Sequence, residues 1–475
     1  MKKILIGRGD VLGDVILATS LIMPLREKYP TAKIYFLVKK EYFSLFSSFE
    51  YIDGCIEDTL PYTSTLKDAK LFYKLVRTIK ELDIDIFIGA WRVEKYAWLS
   101  FLSKIPVRIG HGTSFWNKRL YTSVTSFNFL DFFNHQVRWN QSLLDLLSIR
   151  PKKVELSLHI KTERRPSFQS VCTFLEEPFI CIHLEAGLLQ KTAMTSTLTL
   201  FVQHLISLNT KSIVLIGRER VKHVATELMK LSTDNSVIYD CVEKLSFTET
   251  LTVVSKCTWF FGPDSGLAHV AACYRKPSSV YFLNRTQSPL EWAPWTTNVN
   301  LIMAKHSCTD ICRPTSCQKT DCRQGILEKD LKDTAVSISN HLKNPEDLLP
   351  CPNIKESWLK AGCSIGIISK NKAFVSECID HGFTCFNIDP TLSISKMKKI
   401  IVDKNINVIV HGLEVNPRKL QLVSIWASNY IHFKPVIVHA SNYINFLITL
   451  KNKITTVPTS ADTTNEPNPL HDIID

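Results

Sequence analysis

No apolar run in this chain reaches the ~18 residues that a membrane-crossing helix needs, so no spanning segment is expected. A secretory leader is not expected either, because it needs an uninterrupted apolar stretch of roughly 7–15 residues. Lys2 and Lys3 do precede apolar residues, but Arg8, Asp10 and Asp14 interrupt them. There is no dense Lys/Arg block interleaved with aromatics, no helix-turn-helix pattern and no zinc-finger spacing. The net charge of +12 therefore does not point to nucleic acid. Diffuse basicity fits phosphorylated ligands or an anionic membrane surface instead. The 14 cysteines include no C-x2-C pair, and without a leader they are expected to be reduced thiols in a cytoplasmic setting.

What is present suits a globular protein with real cores. The 475 residues are 45% hydrophobic and 21% charged, which suggests two to four domains, and mean hydropathy is near zero. Short β-rich runs alternate with helical stretches, the pattern of parallel sheets covered by helices. The first 150 residues predict strands at KILIGRG, AKIYFLVKK, IDIFIGA and VRIGHG. They predict helices at GDVILATSLIMPLREKYP, STLKDAKLFYKLVRTIKELD and KYAWLSFLSKI. The pattern restarts with PFICIHLEAG and continues through SIVLIG, SVIYD, TWFFG and SSVYFL, with helices between them. A third repetition carries CSIGIIS, TCFNID, INVIVHG and KPVIVHA, a small four-stranded α/β unit. The resulting division is 1–160, 161–345 and 346–455, with a polar, basic linker near 150–176 and a disordered acidic tail over 456–475.

Five stretches carry chemistry. In ILIGRGDVLGDVILATSLI, Gly7, Gly9 and Gly13 form G-x-G-x-x-x-G, one residue longer than a dinucleotide fingerprint, and Lys39 and Lys40 stand where a ribose-binding acid would end the second strand. Asp14 then either projects from the sheet's C-terminal edge as a general base or serves as a helix cap or first-turn acid. In FFGPDSGLAHVAA, Asp264 and Ser265 form a turn and Gly266 opens a helix whose free N–H groups suit a phosphate. His269 would add a donor, or else this is a capped buried helix with a satisfied histidine. Lys191, in the loop CIHLEAGLLQK, either neutralises a diphosphate or is simply solvated. Asp83 and Asp85 have D-x-D spacing, which reads as entry into a strand or as a cation site. Cys308, Cys312, Cys317 and Cys322 lie close enough for a structural metal site, although a reduced loop is the alternative.

In order and spacing these stretches resemble glycosyltransferase family 9, the ADP-heptose:lipopolysaccharide heptosyltransferases. Gly13-Asp14 stands at that family's G-D position. VRIGHGTSFWNKRLYT, HQVRWNQSLLDLL, FGPDSGLAHVAA and SPLEWAPW resemble its later segments. The similarity spans about residues 1–335. It implies an α/β GT-B fold of two Rossmann-like domains facing a cleft, the first binding acceptor and the second the nucleotide sugar, and an inverting transfer with no cofactor and no metal at the reaction centre. Asp14 is then the expected base. Lys191, Asp264, Ser265, Gly266 and His269 are expected to hold the donor, and Gly9, Gly13 and Arg108 to lie on the acceptor side. Expected partners are ADP-heptose, a lipopolysaccharide or lipid A-core acceptor, and the inner face of an anionic inner membrane, approached through Arg26, Lys28, Lys33, Lys39, Lys40, Arg108, Lys118 and Arg119. The chain departs from the family where Thr192-Ala193-Met194 replaces the usual tryptophan, where Val221 replaces a glutamate with Glu219 and Glu249 the nearest acids, and where Ser265 replaces threonine. An altered-donor or non-catalytic binding relative is the alternative function. The segment beyond 350 lies outside the family pattern.

Overall fold

The computed structural model describes residues 1–46, 49, 51–60, 68–125, 135–151, 154–156, 158, 168, 172–283, 289–296, 298–304 and 317–344, together with the backbone of four strands between 364 and 439. Close contacts divide the chain into two units. One comprises Met1–Cys181, Cys241–Phe260 and Ser265–Lys276; the other comprises Ile182–Asp240, Phe261–Asp264 and Pro277–Asp475.

The first sheet contains β1 (Lys3–Gly7), β2 (Lys33–Val38), β3 (Gly54–Glu57), β4 (Ile86–Gly89), β5 (Val107–His111) and β6 (Ser123–Thr125). Its order is β3-β2-β1-β4-β5-β6, parallel throughout. Ile4, Leu5 and Ile6 are fully buried, which explains why β1 reads as a continuous apolar run rather than an alternating one. The helices of this region are α1 (Leu12–Ala18), α2 (Ile22–Lys28), α3 (Ala69–Glu81), α4 (Glu94–Leu102), α5 (Phe115–Leu120) and α6 (Gln136–Asp145).

The single helix expected after β1 is in fact interrupted. A 3₁₀ turn at Thr19–Leu21 separates α1 from α2. Pro24 lacks the N–H that would continue the ladder, and the hydroxyls of Thr19 and Ser20 bond to the carbonyls of Ile16 and Leu17. Three short elements, β3, α5 and β6, were not anticipated. Each has only three to six residues, too few for a hydrophobic period to show.

The second sheet follows with β7 (Ile180–His183), β8 (Ser212–Ile216), β9 (Val237–Asp240), β10 (Trp259–Pro263), β11 (Ser278–Phe282) and β12 (Val299–Met303). Its order is β12-β11-β10-β7-β8-β9, the same permutation as the first sheet and that of a Rossmann fold. Its helices are α7 (Thr195–Ser207), α8 (Lys222–Met229), α9 (Phe247–Lys256), α10 (Gly266–Cys273), α11 (Pro289–Trp292) and α12 (Glu328–Lys343). The third sheet is parallel, ordered β14-β13-β15-β16, with β13 (Ser364–Ile368), β14 (Thr384–Ile388), β15 (Ile406–His411) and β16 (Val436–His439) at the four expected positions. The acidic tail lies outside the described residues.

Glycine at two strand ends in the first sheet makes room for one ring. A Cβ at Gly110 would fall 2.1 Å from Tyr121 Cε2, and one at Gly89 would fall 2.2 Å from its hydroxyl. Tyr121 is itself only 4% exposed, so it has nowhere to go. Gly110→Ala is expected to lower stability by about 1–3 kcal/mol, as overpacking does. A urea midpoint unchanged from wild type would show that the ring yields.

Candidate active site

In a sheet of this order, ligands bind beyond the strand C-termini where the strand order reverses. In the first sheet that point lies between β1 and β4. The loop leaving β1 carries Arg8, whose guanidinium is fully buried. Its Nη2 donates to Asp14 Oδ1, its Nε to Asp10 Oδ1 at 2.9 Å, and its Nη1 to the Ala90 carbonyl just past β4. The face of Arg8 lies 4.1 Å from the centre of the Trp91 ring. Burial alone would lower the guanidinium pKa, but Asp10 and Asp14 outweigh it and raise it. Asp14 sits in the first turn of α1, is 7% exposed and leaves the N-cap position to Val11. It is therefore not the cap of that helix. Arg8 holds its carboxylate, and α1 sets its position.

A second buried network braces the same loop. The Gly9 N–H donates to the Tyr96 hydroxyl at 2.7 Å, which donates to Asp58 Oδ2 at 2.7 Å, and Lys95 Nζ reaches the same oxygen at 3.0 Å. A Cβ on Gly9 would lie 2.3 Å from Asp58 Oδ2, so only glycine lets the loop pass this close. At the end of β5, His111 is buried against Trp139 with ring centres 5.6 Å apart. Burial, then Arg92 and Arg8, pull its pKa down to about 3, so the imidazole is neutral.

The glycines of the two motifs meet. A Cβ at Gly13 would fall 2.8 Å from His269 Cδ2, and one at Gly266 would fall 2.7 Å from Leu12 Cβ. Helices α1 and α10 thus pack start against start, and Gly13, the neighbour of Asp14, is set against His269 although 256 positions separate them. His269 is 3% exposed, and Ser265 occupies the N-cap of α10 with extended backbone.

At the equivalent point of the second sheet, Lys191 stands on a 3₁₀ turn after β7 and Asp264 follows β10. Lys191 Nζ donates to Asp264 Oδ2 at 3.0 Å and to its carbonyl at 3.3 Å. The turn is held from outside, since Arg323 Nε donates to the Thr192 carbonyl at 2.8 Å and Gln190 donates to the Cys317 carbonyl. A pocket of about 260 Å³ lies beside it, lined by Gly187–Gln190, Cys317–Thr320 and Arg323. The acid of this loop is Glu185, which accepts from Arg218 N at 2.8 Å and from Arg220 at 2.7 Å. Sequence reasoning missed it, and it missed Arg8. Neither fits a named motif, and only their partners reveal their roles. Val221, at the family's glutamate position, is buried. Glu249 closes the capping box of α9 with Ser246.

The remaining candidates make contacts within the fold. Arg108 donates to the carbonyls of Leu120 (2.8 Å) and Ile105 (2.5 Å). Asp85 accepts from the Lys3 N–H at 2.7 Å, and Asp83 sits in a left-handed turn at φ 53°. Among the described residues no group of three His, Cys, Asp or Glu is arranged to hold a metal. Cys308 and Cys312 lie outside the described residues, while Cys317 and Cys322 form no disulfide.

A family model, glycosyltransferase family 9 (heptosyltransferase), matches residues 72–321. The chain belongs to glycosyltransferase family 9. It is 20% identical over 293 residues to lipopolysaccharide heptosyltransferase 3 of Escherichia coli K12, covering 60% of this chain and 83% of that one. Among solved structures it is similar to the E. coli ADP-heptose lps heptosyltransferase II (TM-score 0.56, 17% identity, 72% of this chain and 100% of that one). It is also similar to a family 9 glycosyl transferase from Veillonella parvula DSM 2008 (TM-score 0.58, 15% identity, 72% and 97%). This family 9 glycosyltransferase has the α/β GT-B fold expected from the sequence. Residues 1–71, including Asp14, precede the matched span.

Removing Arg8 would leave Asp10 and Asp14 buried without their cation. Arg8→Met is expected to lower stability at neutral pH by about 3–5 kcal/mol. Carboxylates stranded in this way have folded-state pKa values above their unfolded ones, so the loss grows as pH rises through the unfolded range and shrinks in acid. Urea unfolding at acidic and neutral pH checks this, and a loss independent of pH would contradict it.

Proposed function

We propose that this enzyme transfers a heptose from ADP-heptose to a lipopolysaccharide core or related glycan hydroxyl, inverting the anomeric centre. The observation that carries the reading is the Asp14 carboxylate, oriented by buried Arg8 at the start of α1 and set against His269 through Gly13. A carboxylate held in this way can accept the proton of an acceptor hydroxyl as that oxygen attacks the sugar. Attack from the face opposite the leaving diphosphate gives inversion. Trp91 and Arg92, just past the end of β4 and partly exposed, suit a hydroxyl-rich, anionic acceptor.

The leaving ADP needs its growing charge met. Asp264 holds Lys191 in place but does not exhaust the three donors of an ammonium group. Lys191 then stabilises the diphosphate, with no cation at the reaction centre. The donor assignment draws on the printed names of the relatives. Thr192, Ala193, Met194 and Val221 stand where the resemblance led one to expect a tryptophan and a glutamate. The enzyme works as a peripheral protein on the cytoplasmic face of the inner membrane; no helix among the described residues is long and apolar enough to cross it.

Asp14→Asn is expected to reduce transfer by ~10²–10⁴ while leaving ADP affinity nearly unchanged. A variant retaining more than a tenth of the wild-type rate would remove Asp14 from the role of base. Lys191→Ala is expected to weaken ADP binding far more than adenosine binding, because a charge-assisted contact to phosphate is lost. Calorimetry showing equal losses for the two ligands would place the diphosphate elsewhere.

A further inference from the structure

The helices α4 and α5 pack together and place on the surface a set of aromatics that the enzyme's chemistry does not use. Phe115 is 65% exposed, Trp116 44% and Phe101 43%, and Leu102 and Val107 are also exposed. The rings form one contiguous group. Trp98 and Trp116 have centres 5.0 Å apart, Phe115 and Trp116 5.3 Å, and Trp98 and Phe101 6.5 Å. Their exposure is built in rather than a result of fraying. Ser114 caps α5 by accepting from the Asn117 N–H, and the buried Asn117 side chain donates to the His111 carbonyl at 3.1 Å and to Thr113 Oγ1 at 3.0 Å.

Cations are interleaved with these rings. Arg108 lies 5.6 Å from the Phe101 ring and Arg119 lies 5.8 Å from that of Phe115. Lys104, Lys118 and Arg119 are exposed, and residues 95–125 contain no Asp or Glu. By contrast, Arg26, which the sequence suggested for a membrane role, is engaged elsewhere: it donates to the carbonyls of Ala32 and Tyr51 and pairs with Asp53.

We propose that this face inserts into the interfacial layer of an anionic bilayer, with Phe115 and Trp116 among the headgroups and Lys104, Lys118 and Arg119 on the lipid phosphates. Exposed aromatics flanked by lysine and arginine match the preferences of that layer. The charge favours lipid over a second copy of the chain, because a two-fold contact would set cation against cation. The inference deepens the peripheral-membrane part of the proposed function. It replaces attachment by charge alone with a hydrophobic anchor at a defined place.

Vesicle co-sedimentation of the full chain tests it, using phosphatidylcholine with and without phosphatidylglycerol. Wild type is expected to bind the anionic vesicles and to keep part of that binding in about 0.5 M salt, where charge is screened beyond roughly 4 Å. Lys118→Gln/Arg119→Gln should weaken low-salt binding about thirtyfold, the effect of two cations near an anionic surface. Phe115→Ser/Trp116→Ser should abolish the salt-resistant part and lower affinity at least ~tenfold. Brominated lipid should quench wild-type tryptophan emission more than that of Trp116→Phe, which keeps the fold. Transfer to an acceptor freed of its lipid should be the same in wild type and in the Phe115/Trp116 variant, so failure of the transferase reading would appear there and not in sedimentation. The anchor is refuted if wild type ignores anionic vesicles, if the aromatic variant binds them equally, or if that variant instead converts a wild-type dimer to monomer.

Discussion

The buried guanidinium of Arg8 is the interaction on which the first half of this enzyme is organised. A cation with no solvent contact is tolerated only when its donors are matched, and here two carboxylates and a backbone carbonyl match them. Because the carbonyl belongs to Ala90, the pair ties the loop after β1 to the end of β4, across the point where strand order reverses. Because one carboxylate belongs to Asp14, the same pair orients the group proposed to abstract the proton. Stability and the proposed catalytic geometry thus share one residue.

Close approach is the second constraint. Gly9, Gly13 and Gly266 are not there for unusual backbone angles; they are there because a side chain would collide with Asp58, His269 or Leu12. This explains why the glycines of the first loop miss the dinucleotide spacing. They are placed to admit neighbouring side chains rather than a pyrophosphate. The packing of α1 on α10 follows, and it makes two motifs from distant parts of the chain into one surface.

Attachment to a membrane illustrates how charge and burial interact. Many basic residues early in the chain read equally well as surface cations. Folding draws Arg26 and Arg108 into carbonyl contacts and leaves Lys104, Lys118 and Arg119 outside, around rings that periodicity alone does not mark as exposed. The helix α5 is six residues long, too short for a hydrophobic pattern, and its Ser114 cap with buried Asn117 and Leu120 shows which way it faces.

Local sequence determined a good deal by itself. The strands of the first two sheets are mostly legible because parallel strands buried on both faces must be continuously apolar, and the four described strands of the third sheet fall where the apolar runs predicted. Asp14, Lys191, Asp264 and His269 stood out because acids, cations and glycine at strand-to-helix turns carry chemistry wherever they occur. Tertiary structure alone decided what those residues face. Arg8 on Asp14, Asp264 on Lys191, Arg220 on Glu185 and Asp85 on the Lys3 N–H are pairings between distant positions in three of the four cases. A carboxylate's role depends on which partner desolvation forces upon it, and that partner is chosen by packing, to which the local pattern of residues is blind.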